Sequence, residues 1–466
     1  MLKPYNEYRY FGLPWLEEIP SHWTMMRNKN VLIEKKEVVG SSANNYLLLS
    51  LTLNGVIARD MINAKGKFPK DFNTYKVVEP GNLIFCLFDI DETPRTVGLS
   101  PLNGMITGAY DVFQPVNING KYLYYYYLSI DNVKGLKPLY TGLRKVINIQ
   151  TFLGTKLPVP PKEEQNQIVR FLDWKLSKIN KLIRAKKKQI ALLIEHRKAT
   201  IDNVIMYGIN PHANRKESGV IWLGEIPSHW SVMKLKRICR INASITSQLE
   251  KYSLEDYVVF LPMENISSDG KIDCCEKRKL KDVRNGFSSF AKNDVIVAKI
   301  TPCFENGKGA CLDTLETNIG FGTTELIVLR ANEKVLPRYL YMITQLQQFR
   351  IEGANVMTGS AGQKRVPSSF ISNFELGIPS IAEQSEILEY LDNRLAKFDK
   401  LYETLNREIE LLTEYRIRLI SDVVTGKVDV RDIEIPEYEG DSDETIDGEI
   451  DDNIVLEEEG GEMEVE

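Results

Sequence analysis

"LEEIPSHW" at residues 16–23 returns as "LGEIPSHW" at residues 223–230, identical at seven of eight positions. The phrase contains a Trp and a His, in a chain with only five Trp and four His. Two copies of so rare a phrase mark a duplicated unit, and a duplicated unit must repeat its other landmarks in the same order. It does: "KYLYYYYL" (121–128) answers to "RYLYMI" (338–343), and "TGLRKV" (141–146) to "TGSAGQKRV" (358–366). "LPVPPKEEQNQIVRFLD" (157–173) then answers to "LGIPSIAEQSEILEYLD" (376–392). The second copy is about 12 residues longer, all of it between the Trp and the Glu-Gln pair.

Each copy opens with a turn-rich stretch in which short β-like runs, such as "NLIFCLF" (82–88), "DVIVAKI" (294–300) and "TTELIVLR" (323–330), alternate with Gly, Pro and Asn turns. This predicts an α+β globular domain in each copy. The Tyr-rich run is open between strand and helix, with its rings used for core or interface packing. Each copy closes on a helix of about 45 residues, from Glu163 to Tyr207 and from Ala382 to Thr425. Ser380 with Glu383 forms a capping box at the second start, and Gly426 is its stop. The expected organisation is a first recognition domain over 1–156, a first long helix over 157–208, a linker over 209–222, a second recognition domain over 223–375, a second long helix over 376–427 and an acidic tail over 434–466.

Apolar positions in the second helix step by fours and threes through Leu391, Leu395, Phe398, Tyr402, Leu405, Ile409, Leu412, Leu419 and Val423. The first helix does the same through Leu172, Leu176, Ile179, Ile183, Ile190, Leu193 and Val204. Arg416 and Arg197 interrupt both seams at equivalent places. This heptad pattern predicts a mutual coiled coil. Two like seams packed together imply a pseudo-two-fold axis and antiparallel helices, with the domains at opposite ends of a spacer of roughly 65 Å. A second stripe runs off the seam: Phe171, Leu182, Leu192, Ile201 and Ile205, with Tyr390, Leu401, Leu411, Ile420 and Val424. One helical neighbour cannot cover both stripes, so either the globular domains or a partner protein covers the second. Leu182, Leu192, Ile201, Leu401, Leu411 and Ile420 are the docking candidates.

The bulk composition, 43% hydrophobic and 26% charged over 466 residues, is that of a soluble globular chain. No apolar run approaches the roughly 18 residues of a membrane helix, and "MLKPYNEYRYFGLPW" lacks a signal-peptide core. A cytoplasmic location is expected. The six Cys form no CxxC pair, which argues against zinc and a secreted disulfide framework and for reduced, partly buried thiols. The net charge of −5 conceals a basic body: residues 434–466 hold 16 Asp and Glu and no Lys or Arg, which leaves +11 on the rest. Such a body suits a polyanion, and the tail reads as a disordered, solvated end.

Catalytic groupings are missing. There is no phosphate loop, HExxH or GxSxG, and Pro160-Pro161 lacks the flanking Asn or Asp and aromatic of an adenine-methyltransferase motif. His22 and His229 fall inside the repeated phrase and read as turn residues, with Trp23 and Trp230 as packing anchors. What remains is binding equipment. "CCEKRKLKDVRNG" (274–286) concentrates Lys277, Arg278 and Lys279, and "NAKGKFPK" (63–70) supplies Lys65, Lys67 and Lys70. The two T-G loops carry Thr141, Arg144 and Lys145 in one copy and Gln363, Lys364 and Arg365 in the other. Gln reads adenine and Arg reads guanine bidentately, while Lys mainly contacts phosphate.

Together the doubled "L-x-E-I-P-S-H-W", the segment "AKITPCFENGKGA" (298–310), "TGSAGQKRVP" and the two "P…EQ…I…LD" helix openings resemble the specificity subunits of type I restriction-modification enzymes. The resemblance covers the chain up to about residue 432. It implies a non-catalytic, sequence-specific DNA-binding subunit. Its two target recognition domains would each read half of a bipartite site in double-stranded DNA, and its helices would fix the spacer. It further implies that methyltransferase subunits dock on the helices and that restriction subunits join through them. S-adenosylmethionine, ATP and Mg would then belong to those partners, with no cofactor here. By motif match, Lys299, Thr301, Asn306 and Lys308 lie in a family-typical segment. The first copy has "FDIDETPRTVG" (88–98) in its place, so the two domains are expected to read different half-sites.

Overall fold

The computed structural model describes residues 3–59, 71–141, 145–360 and 362–437. Most of the acidic tail, together with Lys65, Lys67, Lys70 and Arg144, lies outside them. The chain divides into two compact units, Met1–Gln189 with Leu405–Glu466, and Ile190–Thr404.

Each unit is built on a four-stranded antiparallel sheet. In the first unit, β1 (Leu32–Lys35), β2 (Leu83–Phe85), β3 (Val97–Leu99) and β4 (Asp111–Pro115) are ordered β1-β4-β2-β3. In the second, β5 (Cys239–Ile241), β6 (Val295–Ala298), β7 (Gly309–Cys311) and β8 (Leu326–Ala331) are ordered β5-β8-β6-β7, the same connectivity. These strands are short and apolar because both faces are covered: Leu83, Ile84, Phe85, Val295, Ile296 and Leu329 are all buried.

A further four strands repeat the order as well. In the second unit, strand 257–261 pairs in parallel with 319–322, flanked by 277–279 and 288–291. In the first unit, 49–52 meets the strand at 104–106 through a single parallel bridge, Leu48 with Met105, flanked by 55–58 and 76–78.

The Tyr-rich run is a helix, α1 (Gly120–Asn132), capped by Asn119, whose side chain accepts from the Lys121 and Tyr122 amides. Its rings are core. Tyr127 meets Phe85 edge-on at 5.0 Å and donates to Asn28, while Tyr122 donates to the Pro158 carbonyl. The equivalent in the second unit is α3 (Pro337–Gln345), with Tyr339 and Leu340 fully buried.

The long helices are α2 (Lys162–Tyr207) and α4 (Ile381–Val424), of 46 and 44 residues. The Ser380 hydroxyl accepts from the Glu383 amide, and Gly208 and Gly426 end the helices at φ +77° and +78°. Within each unit the halves of α2 and α4 run in opposite directions. In the first, Arg416 donates to Asn180 and Lys186 pairs with Glu408. In the second, Arg197 pairs with Asp399, and the Gly208 end lies beside Glu383. Leu172, Leu176 and Ile179 share the first core with Leu419 and Val423, and Val204 shares the second with Leu391 and Leu395. Ile190 and Leu405 are buried, and Ile183, Leu193, Phe398, Ile409 and Leu412 are half-buried. Tyr402 departs from the expected seam and is exposed.

The second stripe divides. Its ends are consumed by the domains: Phe171 and Ile420 lie in the first core, Ile201 and Ile205 in the second. Ile201 and Ile420 were docking candidates and are corrected here, because each domain folds over the helix end next to it. The middle stays open, with Leu182 at 51%, Leu192 at 55% and Leu401 and Leu411 at 47% exposure.

The repeated IPSHW phrase is explained by the Glu of the Glu-Gln pair. Glu164 accepts from Trp23 Nε1 at 2.9 Å and pairs with His22 Nε2 at 2.8 Å; Glu383 does the same for Trp230 at 3.0 Å and His229 at 2.9 Å. The adjoining glutamines clamp the chain that enters the preceding helix. Gln165 accepts from the Asn119 amide and donates to the Pro160 carbonyl, and Gln384 accepts from Leu336 and donates to Pro379 and Lys334. The His and Trp are therefore structural, as expected, but they act as donors to a carboxylate as well as packing anchors. Sequence reading quoted the Glu-Gln pair in both copies without pairing it to the phrase. The recurrence of both in the same order in each copy is the signal that the sequence offers.

No helix among the described residues is long and apolar enough to cross a membrane, and no His, Cys, Asp or Glu cluster among them is arranged to hold a metal ion.

Candidate nucleic-acid interface

Two segments nominated separately from sequence come together in each unit. In the second, the chain after β6 runs beside the T-G loop: the Val366 amide donates to the Lys299 carbonyl, the Thr301 amide to Lys364, and Ile300 bridges Arg365. The loop is a hairpin closed by reciprocal backbone bonds between Thr358 and Arg365, and the Gln363 amide donates to Ser360. Gly359, at φ +131°, would place a Cβ 2.8 Å from the Gln363 carbonyl oxygen, so only glycine fits this neck.

In the first unit the Ile147 amide donates to Leu87, Asp89 to Lys145, and Phe88 bridges Val146, while Thr141 closes on Val146. This corrects the register expected from sequence. Val146 stands where Arg365 stands, Lys145 matches Lys364, and the buried Ile147 matches the buried Val366. Aligning the terminal valines missed this because the loops differ in length, and the backbone bridges, not the letters, fix the register.

The two loops differ in electrostatics. Lys145 Nζ sits 2.6 Å from Glu92 and 3.2 Å from Asp91, and these carboxylates raise its pKa. Tyr140 donates to Asp91 at 2.8 Å and, as the largest cause, holds that carboxyl below its ordinary range. In the second unit Arg365 grips Glu325 through Nε and Nη2 at 2.8–3.2 Å, which lowers the Glu325 pKa. Gln363 and Lys364 are exposed, and their side chains have no partner among the described residues.

The basic strand at 277–279 is held by acid. Lys277 pairs with Glu316, and Lys279 and Lys281 share Glu255, which they push down to about 2. Arg278 pairs with Glu276 while lying 3.7 Å above the Phe260 ring. Lys308 reaches the Met263 carbonyl at 3.4 Å. Asp91, Glu92, Glu255 and Glu325 were missed by a reading that searched for cations; single acids in a polar loop carry no sequence signal of their own.

The described residues form two similar domains, each with a paired loop and segment, joined to long helices. The family described as the type I restriction modification DNA specificity domain matches residues 107–192 and 227–411, more than half of the chain, and the chain belongs to that family. It is 39% identical over 180 residues to the type I restriction enzyme EcoAI specificity subunit of Escherichia coli, a match covering 38% of this chain and 30% of that one. The type I restriction enzyme MjaVIII specificity subunit of Methanocaldococcus jannaschii is 27% identical over 301 residues, 63% of this chain and 66% of that one. The match thus spans about a third of the first relative. A solved chain from work on complex assembly and conformational transition of the type I restriction-modification system superposes with a TM-score of 0.60. It is 14% identical and covers 88% of this chain and 99% of that one, a likeness of fold.

Proposed function

We propose that this chain is the sequence-specific DNA-reading subunit of a type I restriction-modification complex, with each unit reading one half of a bipartite site through its T-G hairpin and the segment beside it. The observation that carries the reading is the pair of equivalent hairpins on one fold with different side chains at matching positions. Lys145 and Val146 face Lys364 and Arg365 in the comparison. One architecture with two chemistries is what reading two unlike half-sites requires. Lys277, Arg278, Lys279, Lys299 and Lys308 are assigned to backbone positioning.

The opposed seams of α2 and α4 support a pseudo-two-fold coiled coil as the spacer, and the exposed Leu182, Leu192, Leu401 and Leu411 support docking of methyltransferase subunits there. S-adenosylmethionine, ATP and Mg, and the restriction subunits, belong to that assembly and not to this chain, whose place is the cytoplasm. The test is a salt titration of the full chain on duplexes it enriches from a randomised pool and on scrambled ones. Binding should fall steeply with salt on both, with a preference for the enriched split motif. Enrichment of no sequence would refute the reading.

A further inference from the structure

We infer that Arg365 and Glu325 form a strut that positions Gln363 as the base-reading side chain of the second domain. The inference rests on the DNA-reading role proposed above and narrows it to one residue. Arg365 is the obvious guanine reader by residue type, yet its three guanidinium nitrogens are already engaged. Nε and Nη2 bind Glu325, and Nη1 donates to the Gln363 carbonyl oxygen at 3.1 Å. Turning the fork to a base edge would break all of these bonds, and a carboxylate held by a bidentate fork is the stronger competitor.

The same bonds fix the backbone of Gln363. Its carbonyl is held by Arg365, its amide closes on Ser360, and the Lys364 carbonyl next to it accepts from both the Thr301 amide and the Thr301 hydroxyl. Glu325 is anchored in turn, since its carbonyl accepts from the Lys299 amide at 2.8 Å. The result is a main chain at Gln363 and Lys364 held by bonds on both sides, while the Gln363 side chain is exposed. A carboxamide offers one donor and one acceptor in a plane, the complement of adenine N6 and N7 in the major groove. The first domain is the internal contrast: Val146 occupies the strut position, so nothing equivalent can form there.

The strut makes a prediction opposite in sign to simple electrostatics. Removing the Glu325 carboxylate takes a negative charge off a DNA-binding surface and, by charge alone, tightens binding to every duplex. The test uses the full chain, a duplex carrying the enriched motif, and two duplexes with either half-site scrambled. Glu325→Gln and Arg365→Lys should each reduce discrimination of the second half-site about tenfold and leave discrimination of the first unchanged, which also shows that the variants are folded. Affinity for scrambled DNA should stay level or rise in Glu325→Gln. The double variant should be no worse than either single one, and Gln363→Ala should lose preference at one A·T pair. Discrimination that survives Glu325→Gln and Arg365→Lys, or an unchanged motif in Gln363→Ala, overturns the strut while leaving DNA reading intact. An unaltered chain that enriches no motif overturns the reading and the strut together.

Discussion

Glu164 and Glu383 hold the same place in the two copies, yet they are not equally committed. Glu164 is 5% exposed and accepts a third bond, from the Tyr5 hydroxyl, while Glu383 is 22% exposed and holds only its His and Trp among the described residues. The additional closure comes from the chain ends. Tyr8 donates to the Gly426 carbonyl, the Asp429 amide to Lys3, and Gln167 to Val430 and Ile433, while Arg431 lies over the Tyr5 ring. The first clamp is thus completed by residues after α4, and Val430 is fully buried in that core. What this teaches is that a duplicated motif need not carry a duplicated energy. The same Glu costs more to lose where more buried donors depend on it.

That difference can be broken first at the carboxylates. Glu164→Ala should destabilise the first unit by about 2–5 kcal/mol, because it leaves the buried Tyr5 and Trp23 donors without an acceptor, whereas Glu383→Ala should cost about 1–2 kcal/mol. The cysteines give separate readouts: Cys86 is buried in the first unit, and Cys239 and Cys311 are buried in the second with thiols pushed up to about 12. Thiol labelling across a urea series should show Cys86 opening early in Glu164→Ala only. Simultaneous opening in both variants would mean the clamps are equivalent.

The helix ends come next. A Cβ at Gly426 would lie 2.3 Å from Pro20 Cδ, and one at Gly208 would lie 3.2 Å from a Trp230 ring carbon; both glycines have positive φ. Gly208→Ala should cost about 1–2 kcal/mol from the left-handed backbone. Gly426→Ala should cost about 1–3 kcal/mol more from overpacking. Equal losses in the two would show that Pro20 yields.

The pH response sharpens the contrast on a smaller scale. Glu255 is held low by Lys279 and Lys281, so its stabilisation is full above the ordinary carboxyl pKa and is lost as pH falls from about 4.5 towards about 2. Acid titration should therefore weaken the second unit by an increment that Glu255→Gln removes, and urea midpoints measured by circular dichroism across that pH range would register it. The smallest effects are expected at the open leucines. Leu182→Glu and Leu401→Glu should change stability by less than about 0.5 kcal/mol, whereas Ile420→Glu should unfold the first core. On the docking proposed above, co-purification with methyltransferase subunits should fail for the leucine variants while denaturation midpoints hold.

Much of this was written in the chain. The heptad spacing and the serine and glycine stops place both long helices to within a residue of Lys162–Tyr207 and Ile381–Val424, because helix period and caps are local physics, whereas the compact units divide inside those helices, after Gln189 and before Leu405. The Tyr-rich run stayed ambiguous, since a fully buried segment shows no periodicity. The T-G loops stand out in the sequence, but their register differs by one residue from the one that their terminal valines suggest. The Asp and Glu residues that hold Lys145, Lys277, Lys279 and Arg365 lie far from them in the chain and carry no local signal.

The sequence by itself determined the duplication, the two long helices and the family, since these depend on spacing along one strand of chain. Only the tertiary structure decided which carboxylate meets which cation, which parts of the second stripe are buried, and that the residues after α4 complete the first clamp. Those are contacts between positions tens to hundreds of residues apart, and backbone pairing, not local propensity, chooses them.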